Sequence, residues 1–302
     1  MNNLITDVKN LEIETLKNLK NSKAENTLRA YQSDFRDFSM FCERNGFTSL
    51  PSQPKIIALY ITHLSKSSKF STLKRRIASI SVLHKLKGHY LDTKHPIIME
   101  NLLGIKRTLG SRQKAKKPIL INDLKLIIKV INQYKIRDKA LILIGFAGGF
   151  RRSELVNIYY DDIEFVDEGV KILIKRSKTD QSGEGAIKAI PYFDNKEFCP
   201  VIALTNFLNY KFKNKKKEGK IFDISDKSVA LIIKRYVEKA GLDPSKYAGH
   251  SLRSGFATTA AEFGAEERNI MAMTGHKTTQ MVRRYIQEAN LFKNNALNKI
   301  KI

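Results

Sequence analysis

Gly249-His250-Ser251-Leu252-Arg253-Ser254-Gly255-Phe256-Ala257-Thr258 places a histidine and an arginine three residues apart at the head of a helix rich in small residues, 256–261. The two share one helical face at the positive end of that helix, where an anion is favoured. A His-x-x-Arg pair alone is unremarkable, so its meaning rests on what surrounds it. Upstream, Gly148-Gly149-Phe150-Arg151-Arg152-Ser153-Glu154-Leu155 follows a nearly all-apolar stretch, 139–149, that reads as a buried helix. Two glycines let backbone and ligand approach closely. Arg151 projects from the helix end, with Glu154 one turn later. By itself this segment reads equally well as a surface arginine paired with Glu154. Downstream, Thr274-Gly275-His276-Lys277-Thr278-Thr279 puts a histidine in a turn, and Arg283-Arg284-Tyr285 brings a tyrosine nine residues on (285 − 276 = 9) across a short helix.

These residue types suit one chemistry. Cleaving a phosphodiester requires stabilising a pentacoordinate phosphorane whose charge sits on two non-bridging oxygens. Arginines do this without a metal, because they stay charged and their planar forks match phosphate geometry. A phenolate, with a pKa of about 10, is a tolerable nucleophile and leaving group, so the ester energy is stored and rejoining needs only a 5′-hydroxyl. The sequence has no P-loop pattern and no clustered carboxylates or Cys/His metal ligands, so neither cofactor nor metal is expected.

Taken together, Arg151 with Glu154, His250-x-x-Arg253, Gly275-His276 and Tyr285, in this order, resemble the signature of the tyrosine recombinase (phage integrase) family. The run 249–258 is especially close to that family's second box. The resemblance covers residues 117–290, and reaches the N-terminal helices only in architecture. It implies a site-specific recombinase that cleaves and rejoins DNA through a covalent 3′-phosphotyrosine intermediate. Tyr285 would be the nucleophile, and Arg151 and Arg253 would clamp the scissile phosphate. His250 would hydrogen-bond the phosphate and help accept the tyrosine proton, His276 would donate to a non-bridging oxygen, and Glu154 would buttress the site. The family also has a lysine on a β-hairpin turn that protonates the 5′-oxygen. Lys178 in Arg176-Ser177-Lys178-Thr179-Asp180 fits that place best, with Lys175 and Lys188 as nearby competitors. A type IB topoisomerase, or an inactive DNA-binding regulator on the same fold, would share much of this pattern, and a generic basic RNA-binding protein would have to treat every box as coincidence.

The charge agrees with a polyanionic partner. The 302 residues carry 54 Lys plus Arg against 30 Asp plus Glu, a formal net of +24, which favours phosphate contacts through counterion release. Cys42 and Cys199 lie far apart with no CxxC pairing, which fits a reducing compartment. No apolar run approaches the ~18 residues of a membrane span, and the first residues lack a signal-peptide core. A cytoplasmic, nucleoid-associated protein is expected.

Periodicity predicts a mainly α fold with a small antiparallel sheet in the catalytic domain. Helices are expected over 22–46, 54–64, 71–87 and 97–104, forming a small helical unit, which the resemblance implies is the family's N-terminal, SAM-like core-binding domain, over 1–105. The third helix turns Leu73, Ile77, Ile80, Leu83 and Leu86 inward and presents Lys74, Arg75 and Arg76 on its other face, a DNA-facing surface. A basic interdomain linker follows over 106–118, with Arg107, Arg112, Lys114, Lys116 and Lys117 and, through Lys117, no acid. Such a strap suits a protein that wraps a duplex, though it reads also as a solubilising linker. The resemblance implies that 119–302 is the integrase-type catalytic domain. It holds helices over 121–133 and 139–149, short strands over 163–166, 170–175 and 186–191, a polar hairpin turn over 177–185, and then helices to 289. The tail 290–302 carries spaced apolar residues that suit docking on a neighbour. The partners that the resemblance implies are double-stranded DNA at a specific site and further copies of the chain, as a homotetramer on two DNA sites.

Overall fold

The computed structural model describes Leu11, Glu14, Lys17, Asn18 and residues 25–110, 115–175, 185–290 and 296–300. The chain divides into two compact units, Met1–Lys114 and Ala115–Ile302.

The first unit is helical: α1 (Glu25–Arg44), α2 (Pro54–Ser65), α3 (Phe70–Leu86) and α4 (Pro96–Leu109). Proline opens both α2 and α4, where its missing N–H costs nothing. α1 packs on α3 and α2 on α4, around Phe38, Cys42, Ile57, Tyr60, Ile61, Leu73, Ile80 and Ile98. Two expectations for α3 need correction. Leu86 is exposed, and the last inward position belongs to His84, which is fully buried. Arg76 also turns inward. Its Nε lies 3.3 Å from Asp34 Oδ1 and its Nη1 3.2 Å from Asp37 Oδ2. Arg75 reaches the same Asp34, and the Ser79 hydroxyl donates to it at 2.6 Å. A buried carboxylate needs such partners, so the basic run is partly internal structure. Lys74 stays on the open face.

α4 runs through Leu109, so Lys106 and Arg107 are helical and not part of an extended strap. Cations in a last turn suit the negative end of the helix. Arg112 and Lys114 lie outside the described residues. At the far end of the strap, residues 116–119 belong to the second unit. Lys117 N–H donates to Lys246 O at 2.7 Å and Ile119 N–H to Ser251 O at 2.9 Å. The Lys116 ammonium donates to Ser245 O at 2.6 Å, and Lys117 pairs with Asp123 at 3.1 Å.

In the second unit, α5 (Ile121–Lys129) precedes α6 (Ile136–Ala147), and residues 140–147 of α6 are all buried. α6 is the central helix, flanked by α8 (Pro200–Lys211) and α10 (Ser251–Glu262). A one-turn helix α7 (Arg152–Leu155) follows it. The sheet is antiparallel, in the order β1 (Ile163–Val166), β2 (Gly169–Ile174), β3 (Ala186–Pro191). Alternation buries Val170, Ile172 and Ile174 on β2, and Lys188 and Ile190 on β3. α9 (Asp226–Lys239), α11 (Glu267–Thr274) and α12 (Thr279–Asn290) complete the unit. Among the described residues no helix is long and apolar enough to cross a membrane.

Candidate active site

The site forms where three chain reversals meet. The first is the exit from α6. Gly149 holds φ +54°, a conformation that favours glycine, and a Cβ there would lie 3.0 Å from the Phe256 ring. The turn leaves Gly149 O accepting from Arg253 Nη1 at 2.9 Å. Arg151 caps α7. The Glu154 carboxylate accepts from Arg151 N–H at 2.9 Å and from its Nη1 at 2.5 Å, and the two side chains are 14% and 3% exposed. A solvated surface pair is thereby ruled out for Arg151 and Glu154.

The second reversal leads into α10. His250 is its N-cap, exposed at the helix entrance. Arg253, one turn in, is only 5% exposed. Its Nη1 is satisfied by Gly149, whereas Nη2 is buried with no hydrogen-bond partner among the described residues. An unsatisfied buried guanidinium nitrogen is costly, and an anion would relieve it. Burial, reinforced by the Arg151 charge, brings the Arg253 guanidinium down to about 10.

The third reversal joins α11 to α12. Gly275 O accepts from Arg151 Nη2 at 3.2 Å. His276 Nδ1 lies 2.7 Å from the Thr274 hydroxyl, and its ring lies 5.9 Å from that of Tyr285, centroid to centroid. Tyr285 is partly buried against Ala257, Ala261, Ile270 and Val282, so packing on α10 and α11 fixes the tyrosine helix. Burial first, then the charges of Arg253 and Arg151, push the His276 imidazole down to about 4.

Arg151, Arg253, Glu154, His276 and Tyr285 thus come together from segments far apart in sequence. Lys178 lies outside the described residues. Of its two competitors, Lys175 pairs with Asp162 at 2.6 Å. Lys188 is the residue that the sequence reading undervalued. It is 4% exposed, donates to Gly148 O at 2.7 Å, stands 3.8 Å from Glu154 Oε2 and lies 4.3 Å over the Phe150 ring. Strand alternation with Ile190 was the available signal. Burial brings its amine down to about 7, with Glu154 opposing and Arg253 and Arg151 adding to the shift. Burial also pushes the Glu154 carboxyl upward, but Lys188 and Arg151 outweigh it and hold that group low. Arg151, Lys188 and Arg253 around the Glu154 carboxylate leave an excess of positive charge suited to an oxyanion. Among the described residues no group of three or more His, Cys, Asp or Glu could hold a metal ion.

The profile of the Phage integrase family matches residues 117–291. An integrase/recombinase xerD homolog of Selenomonas ruminantium is 42% identical over 96% of this chain and 89% of its own. The tyrosine recombinase XerC of Staphylococcus aureus is 27% identical over 92% of this chain and 91% of its own. Among solved structures, the Tn1549 transposon integrase in complex with transposon right end DNA superposes with a TM-score of 0.63. It is 15% identical, over 90% of this chain and 94% of its own. A lambda integrase dimer bound to a core site gives 0.59 at 18% identity, over 97% and 98%. Residues 117–291, which hold the three reversals, are also the residues that the profile matches, and the chain belongs to the phage integrase family of tyrosine recombinases, enzymes that break and rejoin DNA strands.

Proposed function

We propose that this chain recombines DNA at a specific site through a 3′-phosphotyrosine intermediate formed on Tyr285. The carrying observation is the buried Arg253 Nη2, which has no partner among the described residues, on a guanidinium anchored to the turn that launches Arg151. In this reading a non-bridging oxygen of the scissile phosphate accepts from Arg253 Nη2, with Arg151 on the other non-bridging oxygen. Tyr285 Oη attacks phosphorus as its proton passes to His250. The bond from phosphorus to the 5′-oxygen breaks, and Lys178 supplies the proton that makes the departing 5′-hydroxyl. His276 hydrogen-bonds a non-bridging oxygen. Rejoining is the reverse, with a 5′-hydroxyl from another strand as attacker, so no nucleotide hydrolysis is required.

The partner is double-stranded DNA, held by the helical unit (the core-binding domain) and by the catalytic unit. Lys74 and Arg75 on α3, supported from within by Arg76, contribute phosphate contacts together with Arg107, Arg112, Lys114, Lys116 and Lys117. Four copies act on two DNA sites, in the cytoplasm, on nucleoid DNA. A nicked suicide duplex tests the reading. Wild-type protein should form a denaturant-resistant adduct that Tyr285→Phe cannot form while still binding the site. A two-site plasmid should yield recombinant products. Relaxed circles alone would indicate a topoisomerase, and an adduct on the Phe variant would exclude Tyr285.

A further inference from the structure

Lys188 sits where a lysine is costly. It is directly opposite Ile172 in the β2–β3 register, on the buried face of the sheet, with its side chain 5% exposed. A charge at such a position persists only with partners, and its polar partners among the described residues, Gly148 O and Glu154, both support the arginine clamp. Its donation to Gly148 O, at 2.7 Å, holds the residue preceding Gly149, whose own carbonyl takes Arg253. Its approach to Glu154 Oε2, at 3.8 Å, holds the carboxylate that takes Arg151. One ammonium therefore braces the seats of both arginines, and it does so from β3, the strand that follows the segment containing Lys178.

We infer that Lys188 is a positioning residue for strand cleavage: it fixes Arg151 and Arg253 relative to one another through Glu154 and the Gly148–Gly149 carbonyls, and it does not itself protonate the leaving group. This rests on the phosphotyrosine reading above. Its bond to Gly148 O and its cover by the Phe150 ring keep the ammonium within the wall of the site. Lys188 thus acts through the arginines. A displacement of about 1 Å in such groups costs on the order of 10²-fold in rate.

The test compares two suicide duplexes, one with the natural 5′-bridging oxygen and one with sulfur there, whose thiolate leaves without a proton. Lys188→Met should bind the site and melt close to wild type, since an apolar side chain of similar length suits that pocket. It should cleave on the order of 10²-fold more slowly on both duplexes alike, whereas Lys178→Ala should recover on sulfur. Should the Met variant not fold, Lys188→Gln, which keeps a donor toward Gly148 O without the charge, takes its place with the same expectation. A double-mutant cycle with Glu154→Gln supplies a readout that a purely structural lysine would not move: the Lys188 effect should shrink once Glu154 is neutral. Recovery of the Lys188 variant on sulfur would make it the general acid and overturn the inference. So would an unchanged rate, or strictly additive effects in the cycle. If the wild type forms no adduct on either duplex, the phosphotyrosine reading itself falls, and this inference with it.

Discussion

The Thr274 hydroxyl lies 2.7 Å from His276 Nδ1 and 2.6 Å from the carbonyl of Ile270. A hydroxyl has one proton to give. With that proton on Ile270 O, Thr274 accepts from Nδ1–H and leaves Nε2 of the neutral imidazole as an acceptor. For His276 to donate through Nε2, either the threonine rotates its proton onto Nδ1, or the ring gains a second proton once a phosphate offsets Arg253 and Arg151, whose charges help hold the imidazole at about 4. The bond made by one ring nitrogen sets the state of the other.

Thr274→Val keeps the shape and removes the hydroxyl. Nitrogen chemical shifts of His276 in the free protein should move from the Nδ1–H tautomer toward a mixture. Cleavage should fall about fivefold, the equivalent of one hydrogen bond of about 1 kcal/mol. Unchanged tautomer shifts would show that Thr274 does not govern the ring.

In the helical unit, His84 is buried, with Nδ1 2.9 Å from Ile80 O and Nε2 accepting from Ser52 N–H at 2.9 Å. That pairing requires the neutral ring. Burial lowers its pKa below the ordinary 6.5, against the smaller raising effect of the Ile80 carbonyl. The unfolded chain therefore takes up a proton as pH drops through about 6.5 while the folded one does not. Stability is fully present above that pH and declines below it, by at most about 1.4 kcal/mol per pH unit, until the folded group also titrates. Urea unfolding at pH 7.5 and 5.5 should show a larger drop for wild type than for His84→Gln. Equal drops would mean that His84 is not the titrating group.

Two glycine-to-alanine changes inside helices should have opposite signs. At Gly255 in α10 a Cβ would stand 1.9 Å from the backbone oxygen of Ile119, on the segment anchored by Ile119 N–H to Ser251 O. Backbone cannot swing aside as a side chain can, so Gly255→Ala should cost about 1–3 kcal/mol despite its better helix propensity. At Gly104 in α4 nothing lies within 4 Å of the added carbon, and Gly104→Ala should stabilise by up to about 1 kcal/mol. Thermal melts of the two variants check both signs.

The site was legible where residue type and chemistry coincide. Arg151, Arg253 and Tyr285 lie on short local motifs, and the unbroken apolar run of α6 could only be an interior helix. What stayed hidden depends on partners distant in sequence. Asp34 is 42 residues from Arg76 (76 − 34 = 42), and no helical periodicity links them. Lys188 alternates with Ile190 as an inward residue should, but a lysine is so seldom buried that the pattern loses to the residue type. Lys106 and Arg107 read as linker because charge marks loops, although the same charges favour a helix C-terminus. Thr274 needed the position of the Ile270 carbonyl, which only the folded α11 supplies.

The basic face of α3 offers the sharpest separation of structure from DNA contact. Lys74 is exposed, whereas the Arg76 side chain is 17% exposed and bound to Asp34 and Asp37. A lysine that neutralises one phosphate lowers the slope of log affinity against log salt by about one when removed, and leaves folding untouched. An arginine whose loss strands a buried carboxylate does the reverse. Lys74→Ala should therefore flatten the salt slope by about one unit for specific and random DNA alike, with an unchanged melting temperature. Arg76→Ala should keep the slope and lose about 2–3 kcal/mol of stability, because Asp34, 3% exposed, loses its paired guanidinium and keeps Arg75 and Ser79. If Arg76→Ala flattens the slope without loss of stability, its guanidinium leaves Asp34 for the duplex, and the buried pairing gives way when DNA binds.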